Sequence, residues 1–388
     1  MRRLVPLCVG LLFCLAVAAS AVAQDRVTIG IVTATSGPLA APGKFQVNGF
    51  KLAADEVNKK GGIAVAGKAY SVELKIYDTH CSATEGASAM ERLASFDKVP
   101  VVLGEVCSPV AAAEAVVAKA DEVPLILTVP TAANLTEPKN DNPYLFRVNA
   151  DNDMLDAALA KYIAAQGWSP LGFIAWNNDT GRGGVADLRK LLPPDIEIAY
   201  VGYFNVGDVD FSSHVSNLRA KNVKAVLLLM DEEPGALATK QIRQSGFPVQ
   251  LVGTLAMGSN KFLERVDAKS IEGMVQYSNF PPAAEMPAIR NFNAAYKAMF
   301  GEESHGFAAQ SYDGLMVALE AMQRAGTVSD GKAIRDALAK TDHQGVIGHI
   351  VFDSNNQNNP PVFITQWCGD GTRRIVAPAD AVGACGTG

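Results

Sequence analysis

Residues 27–62 read VTIGIVTATSGPLAAPGKFQVNGFKLAADEVNKKGG, and this stretch sets the pattern for the rest of the chain. An apolar, β-branched run over residues 27–32 predicts a buried strand. Apolar side chains at helical spacing over residues 47–60 predict a helix, which Gly61 and Gly62 end. A strand followed by a helix is the repeating unit of a doubly wound sheet. The stretch therefore predicts an α/β fold built on a parallel sheet.

The strand-then-helix pattern continues along the chain in two blocks. In the first block the sequence predicts strands over residues 71–77, 99–103 and 124–127 and helices over residues 83–96 and 109–120. In the second block it predicts strands over residues 171–176, 196–203, 225–230 and 250–253 and helices over residues 185–192, 211–220 and 236–245. Helices are then predicted over residues 288–300, 308–325 and 331–339, before a tail of strand character over residues 350–367. Because apolar strands that each lead into a helix are typical of parallel sheets covered on both faces, we expect two doubly wound lobes.

Extended segments, rather than a flexible linker, separate the two blocks. They lie at residues 144–149 and 275–280, with a third near residues 349–353. The sequence thus predicts lobe 1 over residues 24–148 plus 279–348 and lobe 2 over residues 149–278 plus 349–388, joined by a three-crossing hinge. Ligands of doubly wound sheets bind beyond the carboxyl ends of the strands, so the expected site is a cleft between the lobes.

The first 23 residues have the features of a secretory signal peptide. Arg2 and Arg3 precede an apolar run over residues 4–19, and small residues end at Ala23. The apolar run is shorter than the ~20 residues that span a bilayer, so we expect cleavage after Ala23 and a periplasmic protein. Four cysteines would remain, and an even set in an oxidising compartment favours disulfides over a metal site.

Composition and motifs favour a binding protein over other classes. The 388 residues are 48% apolar with a net charge of -6, which excludes wholesale disorder and gives no basic surface for nucleic acid. Residues 37–44 resemble a phosphate loop, but Phe45 stands where a hydroxyl would hold magnesium. No histidine pair has the spacing of metal ligands, and His305 follows acidic residues in a predicted solvated loop. We expect no catalytic activity, cofactor or metal.

Several motifs, in their order and spacing, resemble those of periplasmic branched-chain amino-acid binding proteins. They are Thr35-Ser-Gly-Pro-Leu39, Asn48-Gly-Phe-Lys-Leu-Ala-Ala-Asp-Glu-Val-Asn58, Gly104-Glu-Val-Cys-Ser108, Leu145-Phe-Arg147 and Asn178-Asp-Thr-Gly-Arg-Gly183. The resemblance covers nearly all of the mature chain. It implies the type I solute-binding fold and a monomer that closes on a small molecule and delivers it to the inner-membrane permease of an ABC transporter.

Ligand contacts in lobe 1 are implied at Ser108 and at the segment Thr131, Ala132 and Ala133. Ser108 precedes Pro109 and an alanine-rich helix, so it is expected to be the N-cap. Amide donors and the positive end of a helix dipole suit a carboxylate. The alternatives are plain capping for Ser108 and an ordinary loop for the other three residues.

Lobe 2 is expected to contribute Trp176, Thr180, Asp231 and Met257. Trp176 and Met257 lie at the ends of predicted strands and are equally consistent with ligand contact or with the core. Asp231 starts a helix, so its carboxylate either faces the cleft or favours the helix dipole from solvent.

Four positions depart from the leucine-binding pattern of the family: Pro42, Thr180 and Asp231 stand where relatives place aromatic residues, and Leu255 stands near their ammonium-binding carboxylate. The resemblance therefore implies an amino acid or a related small carboxylate or amide, without singling out leucine. The alternative function is a ligand-sensing receptor module of the same fold that feeds a signalling partner.

The resemblance also implies a disulfide between Cys81 and Cys107, which follow the ends of two predicted neighbouring strands. Elimination then leaves Cys368 and Cys385 as a second pair that would tie down the tail.

Overall fold

The computed structural model describes residues 25–280 and 286–379 together with Gly383 and Cys385. Within those residues, no helix combines the length and the apolarity needed to cross a bilayer. The predicted signal peptide and its cleavage site lie outside the described residues.

Lobe 1 is built on a six-stranded sheet in the order β2-β3-β1-β4-β5-β6, parallel except for β2. Its strands are β1 (Asp25–Thr33), β2 (Ile63–Val65), β3 (Lys68–Asp78), β4 (Val102–Gly104), β5 (Leu125–Leu127) and β6 (Leu145–Arg147). The helices of this part of the chain are α1 (Ala40–Lys59), α2 (Ala83–Glu91), which continues as a π-helical turn (Arg92–Phe96), and α3 (Ser108–Ala120).

Lobe 2 is built on a seven-stranded sheet whose core strands are parallel. Its first strands are β7 (Leu171–Trp176), β8 (Ile198–Phe204), β9 (Ala225–Leu229), β10 (Gln250–Gly253) and β11 (Val275–Ser278). Its helices are α4 (Asn152–Gln166), α5 (Asp179–Leu191), α6 (Ser212–Ala220), α7 (Glu232–Gln244), α8 (Asn260–Arg265) and α9 (Ala268–Ile271).

The rest of the chain returns to lobe 1 and then to lobe 2. The helices of the return are α10 (Pro287–Phe300), α11 (Gly306–Ala325) and α12 (Gly331–Leu338), followed by the hairpin β12 (His343–Gly345) and β13 (Gly348–Ile350). The tail adds β14 (Phe363–Trp367) and β15 (Arg373–Ala377) antiparallel to β11, which gives the order β15-β14-β11-β10-β9-β7-β8. The predicted α/β fold of two doubly wound lobes joined by a three-crossing hinge is confirmed.

Each sheet is covered on both faces. In lobe 1, α1 and α11 pack on one face and α2 and α3 on the other. Close packing of α1 on α11 depends on Gly49, because a Cβ there would lie 2.1 Å from the carbonyl oxygen of Ala308. In lobe 2, α6, α7 and α8 cover one face, and α4 and α5 cover the other.

Most predicted elements are present, and the differences have local causes. α1 begins at Ala40 rather than at residue 47, since Pro42 falls in the first turn, where an amide hydrogen has no helical partner. The sequence analysis missed α4 altogether. The sequence nevertheless contains residues that are typical of the start and the end of a helix. The Asp151 carboxylate accepts a hydrogen bond from the Met154 amide, and Gly167 ends the helix at φ +64°.

The third crossing lies later than residues 349–353, where the sequence analysis placed it. The hairpin of β12 and β13 is held to lobe 1 by the Asp313 carboxylate, which accepts hydrogen bonds from the amides of Val346 and Ile347 at 3.0 and 2.7 Å. Gln357 then bridges to Arg147 of β6, and the chain joins the second sheet only at Phe363. Of the tail predicted as strand, residues 363–367 alone enter that sheet.

Both predicted disulfides are confirmed, one in each lobe. Cys81 bonds Cys107 with 5.7 Å between their Cα atoms, joining the ends of β3 and β4 across β1. Cys368 bonds Cys385 at the same Cα separation and ties the chain after β15 to the end of β14.

Candidate functional site

The carboxyl end of β5 meets the start of α3 and the first crossing between the lobes. The Ser108 hydroxyl accepts a hydrogen bond from the Ala132 amide at 3.3 Å, so it joins α3 to the loop after β5. The Thr131 carbonyl accepts from the Asn152 amide at 2.8 Å, which links this loop to α4 of lobe 2. Ala133 begins a short 3₁₀ turn, and all four predicted residues of lobe 1 are half-buried. The structure thus brings them together.

The role predicted for Ser108 within its own helix is shifted by one residue. α3 starts at Ser108, and Cys107 is the N-cap, in extended conformation. Pro109 occupies the first turn as expected. Because Ser108 is already helical, its hydroxyl is directed to the neighbouring loop instead of capping its own helix.

A cluster of buried polar side chains lies next to the start of α3. The fully buried Glu105 carboxylate accepts hydrogen bonds from the Thr79 hydroxyl at 2.7 Å and from the amides of Val106 and Cys107. Burial raises the pKa of Glu105. The fully buried Glu114 has no hydrogen-bond partner for either oxygen within the described part of the chain, and burial together with nearby Glu105 raises its pKa well above the usual value. Both effects favour the protonated, uncharged form of the Glu114 carboxyl.

The predicted residues of lobe 2 fall in different environments. Trp176 is half-buried and stacks on Phe204 with 4.4 Å between ring centroids. Thr180 is exposed in the first turn of α5. Met257 is fully buried in the core of the lobe, where its side chain packs under Gly235 and Gly253. Of the two roles that the sequence allowed for Met257, the structure favours the core.

Asp231 precedes the first turn of α7 as its N-cap residue, yet its side chain makes no capping hydrogen bond. Solvent reaches the side chain, while the surrounding protein raises the pKa of its carboxyl by desolvation. A solvent-accessible acid walled by protein is the arrangement expected in a cleft.

A network of buried amides and one arginine holds the crossings together, and the sequence analysis did not identify it. The fully buried Arg147 donates to the Ala132 carbonyl at 2.7 Å, to the Thr136 hydroxyl at 2.5 Å and to Gln357. Burial lowers its pKa to about 10, so it stays protonated at neutral pH. Asn149 accepts from the side chains of Asn279 and Gln310, which join the first two crossings to α11. The only sequence signal was the polarity of residues 147 and 149 within an otherwise apolar run.

His305 is not in the solvated loop that the sequence predicted. It is the N-cap of α11, and its ring stacks on Phe45 of α1 with 4.9 Å between centroids. Burial, together with the charges of Arg373 and Lys261, lowers the pKa of His305 to about 4. His305 belongs to lobe 1, whereas Arg373 and Lys261 belong to lobe 2.

The described residues include no group of three or more histidine, cysteine or acidic side chains arranged to hold a metal ion.

A family model described as periplasmic binding protein matches residues 26–372. The chain belongs to this family. The match spans both lobes and all three crossings, and the family is one of binding proteins rather than of enzymes.

Relatives of this binding protein are similar over nearly their whole length. The leucine-, isoleucine-, valine-, threonine- and alanine-binding protein of Pseudomonas aeruginosa is 24% identical over 363 residues, which cover 92% of this chain and 94% of the relative. The solved structure of the branched-chain amino-acid transporter substrate-binding protein LivJ from Streptococcus pneumoniae, in complex with isoleucine, has a TM-score of 0.81 at 25% identity and covers 91% of this chain and 100% of that one. The predicted resemblance to branched-chain amino-acid binding proteins is confirmed.

A more distant structure shares the fold alone. The solute-binding protein RPA0668 of Rhodopseudomonas palustris, in complex with benzoate, has a TM-score of 0.78 at 18% identity and covers 93% of this chain and 98% of that one.

Proposed function

We propose that this chain is the extracytoplasmic substrate-binding component of an ABC importer, and that it captures an amino acid or a related small carboxylate or amide between its lobes. The observation that carries the proposal is the contact between Ser108 and Ala132, which unites the start of α3 with the loop after β5 at the mouth of the first crossing. LivJ, similar over its whole length, is named as a transporter substrate-binding protein, which favours transport over sensing.

The ligand's carboxylate is held at the start of α3. Backbone amides there carry the positive end of the helix dipole. The Ser108 hydroxyl and the Thr131 side chain supply further donors, and Ala132 and Ala133 leave room for the ligand because their side chains are small. On the opposite lobe, Trp176 and Thr180 provide a stacking surface and a hydroxyl, and Asp231 faces the ligand's donor groups.

Binding works by closure of the lobes. Groups on both lobes are satisfied together only when the cleft is closed, so a ligand that touches both shifts the equilibrium toward the closed state. The three crossings are short and held by Arg147 and Asn149, which confines the motion to a hinge. The inner-membrane permease would recognise the closed surface of the monomer.

The protein reaches its compartment through its first 23 residues. A signal peptide cut after Ala23 would export it to the periplasm. The two disulfides fit that oxidising compartment.

A thermal-shift screen of the mature chain against amino acids, aromatic acids, small dicarboxylates and amides tests the proposal. Ligand at 100 times its dissociation constant adds about 2.7 kcal/mol to stability, which for a protein of this size raises the melting temperature by several degrees. No shift with any compound would refute the proposal.

The anchor is tested by the double variant Ser108→Ala with Thr131→Ala. We expect the affinity for the best compound of the screen to fall about tenfold to a hundredfold, because hydrogen bonds to a charged group are lost. Ser216→Ala, an exposed position of α6, is the matched control and leaves affinity unchanged. Unchanged affinity in the double variant, measured by calorimetry, would place the carboxylate elsewhere.

A further inference from the structure

Glu105 lies in the turn that leads from β4 into α3, and its side chain is hydrogen-bonded to the backbone of that turn. Its Oε1 atom accepts from the Val106 amide at 2.7 Å and from the Cys107 amide at 3.0 Å. Its Oε2 atom accepts from the hydroxyl of Thr79, the residue after β3, at 2.7 Å. Because Oε1 can accept from both amides whether or not Oε2 carries a proton, the contacts with the turn do not depend on the charge of the carboxyl.

The two ends of this turn are held by other contacts. Gly104 ends β4 at φ +143°, and a Cβ there would lie 1.8 Å from the Val32 carbonyl oxygen, so the end of β4 lies directly against β1. The Glu105 carbonyl accepts from the side-chain amide of Gln46 in α1 at 2.7 Å. Cys107 is fixed by the disulfide of lobe 1. With both ends of the turn held, the Glu105 side chain fixes the two amides between them.

The amides at the start of α3 differ in whether they have an acceptor. Those of Val110 and Ala111 both donate to the Cys107 carbonyl at 3.0 Å, and Pro109 has no amide hydrogen. The two amides before Ser108 are bound to the Glu105 carboxyl. Among the described residues, no acceptor is bound to the Ser108 amide.

The Ser108 hydroxyl is a second donor next to this amide. Its oxygen accepts from the Ala132 amide at 3.3 Å, so its hydrogen can be donated elsewhere. A carboxylate of the ligand can then accept from two groups of one residue, at the positive end of the α3 dipole. The two preceding amides already have a carboxyl oxygen of the protein as their acceptor, so the ligand's carboxylate is directed one residue further along, to Ser108.

We infer that Glu105 is a positioning residue for ligand binding: by holding the amides of Val106 and Cys107, it presents the amide and the hydroxyl of Ser108 to the ligand's carboxylate. This role rests on the proposed function, which places that carboxylate at the start of α3. Glu105 itself does not touch the ligand, because it is fully buried. Donors that are held in place before the ligand arrives strengthen binding, because they do not have to be ordered on association.

Two replacements of Glu105 separate its hydrogen bonds from its charge. Glu105→Gln keeps an acceptor for the two amides, and its own amide group can donate to the Thr79 hydroxyl. Glu105→Met is similar in length and has no such acceptor. Calorimetry on the mature chain measures the affinity for leucine, glutamate, benzoate and any other acid that the thermal-shift screen identifies, each paired with its carboxamide.

We expect Glu105→Met to weaken the acid that binds best about tenfold or more and to leave its carboxamide within about threefold, because hydrogen bonds to a charged acceptor are the stronger ones. Glu105→Gln should bind that acid within about threefold of the wild type. A residue that only stabilises the fold would change neither the preference for the acid nor its recovery in Glu105→Gln.

Glu114 provides the matched control. It is the fully buried acid of α3 itself, and within the described part of the chain it makes no hydrogen bond. Glu114→Gln should therefore leave the affinity for the acid unchanged. Thr79→Val removes the contact on the other oxygen of Glu105, and we expect a loss of about threefold. If Glu105→Met fails to fold, Thr79→Val decides, and unchanged affinity there overturns the role of Glu105.

Backbone amide spectra show which groups the acid contacts. In ¹H–¹⁵N spectra of the wild type, the acid should shift the Ser108 amide more than the amides of Val106 and Cys107, because those two stay bound to Glu105. Shifts at Val106 and Cys107 that equal or exceed the shift at Ser108 would mean that the ligand replaces Glu105, and would overturn its positioning role.

The outcomes also separate this role from the proposed function. If Glu105→Met melts at a lower temperature but binds acid and carboxamide as the wild type does, or if Glu105→Gln weakens the acid as much as Glu105→Met, the positioning role is refuted and the importer proposal stands. The result is the same if only carboxamides bind the wild type. If neither these probes nor any compound of the thermal-shift screen binds, both are refuted.

Discussion

The site residues predicted on lobe 1 have small side chains, whereas those predicted on lobe 2 include an aromatic and a charged one, Trp176 and Asp231. On lobe 1, Ser108 and Ala132 are joined by a hydrogen bond above a buried acidic cluster. On lobe 2, Asp231 and Arg373 have no side-chain partner of opposite charge within 4 Å in the described ranges. Groups whose hydrogen bonds are satisfied within one lobe can hold a feature that many ligands have in common. Charged groups without a partner instead favour ligands of complementary charge. Under the proposed function, lobe 1 would hold the ligand's carboxylate and lobe 2 would set specificity.

Removing the arginine that both lobes depend on should have the largest effect. Arg147→Met leaves the hydrogen-bond acceptors of Ala132, Thr136 and Gln357 without their donor. We therefore expect the unfolding free energy to fall by about 3–5 kcal/mol. Urea unfolding measures it. Arg189→Met, at an exposed position of α5, is the control and should change stability by less than about 0.5 kcal/mol. A small loss in Arg147→Met would mean that the crossings are held by other contacts.

The two disulfides allow the lobes to be compared directly. Cys81→Ser with Cys107→Ser opens a bridge between residues 26 apart and should cost about 3.5 kcal/mol on the loop-entropy model. Cys368→Ser with Cys385→Ser opens one of 17 and should cost about 3 kcal/mol. Ligand affinity should fall only in the first variant, because Cys107 precedes Ser108. Equal loss of affinity in both variants, measured by calorimetry, would contradict a lobe 1 anchor.

Two buried aspartates, one in each lobe, should respond differently to replacement by asparagine. Burial, with nearby Asp187 and Asp153, raises the pKa of Asp156 in lobe 2 to about 7. The folded state therefore holds a proton that the unfolded state releases near pH 4, so stability falls by up to ~1.4 kcal/mol per pH unit between pH 4 and 7. Asp156→Asn should remove that slope and be more stable than the wild type at pH 8.

Asp313 of lobe 1 is the residue to compare with Asp156. Burial raises its pKa to about 6, but its carboxylate accepts two backbone hydrogen bonds. Asp313→Asn loses one acceptor and should be destabilised by about 1–3 kcal/mol at pH 8. Urea unfolding at pH 5 and pH 8 measures both variants. If both aspartate variants are more stable than the wild type at pH 8, burial of the carboxyl outweighs the hydrogen bonds of Asp313.

Replacing Asp231 should have the smallest effect of these changes, and the effect is on ligand affinity. If its carboxylate contacts an amino group of the ligand, Asp231→Asn weakens glutamate about threefold and leaves glutarate unchanged, as measured by calorimetry. Glu233→Gln, at an exposed position two residues along, is the control. Equal affinity changes for glutamate and glutarate would remove Asp231 from ligand recognition.

The elements that the sequence predicted best are the buried ones. Continuous apolar runs such as residues 171–176 and 225–230 lie in the centre of the second sheet, where burial on both faces leaves a clear pattern. β15 and the hairpin of β12 and β13 were missed because edge strands are short and polar. α4 was missed because its alanine-rich surface weakens the contrast between its faces.

The candidate site was predicted in the same uneven way. The sequence predicted Ser108 and Thr131 as site residues because each follows a buried strand next to a recognisable motif. The network of Arg147, Asn149 and Gln357 was not predicted, because its members come from distant segments of the chain. A single sequence carries no signal of which distant polar groups become adjacent.

By itself, the sequence determined the alternation of strand and helix, the two lobes and the disulfide cysteines, since each depends on local pattern and on the order of motifs. The tertiary structure alone decided that Met257 lies in the core, that Arg147 holds the crossings, and that His305 is the N-cap of α11 and stacks on Phe45. Burial and electrostatic proximity are properties of the folded chain, because they depend on which residues distant in sequence come within a few ångströms of one another.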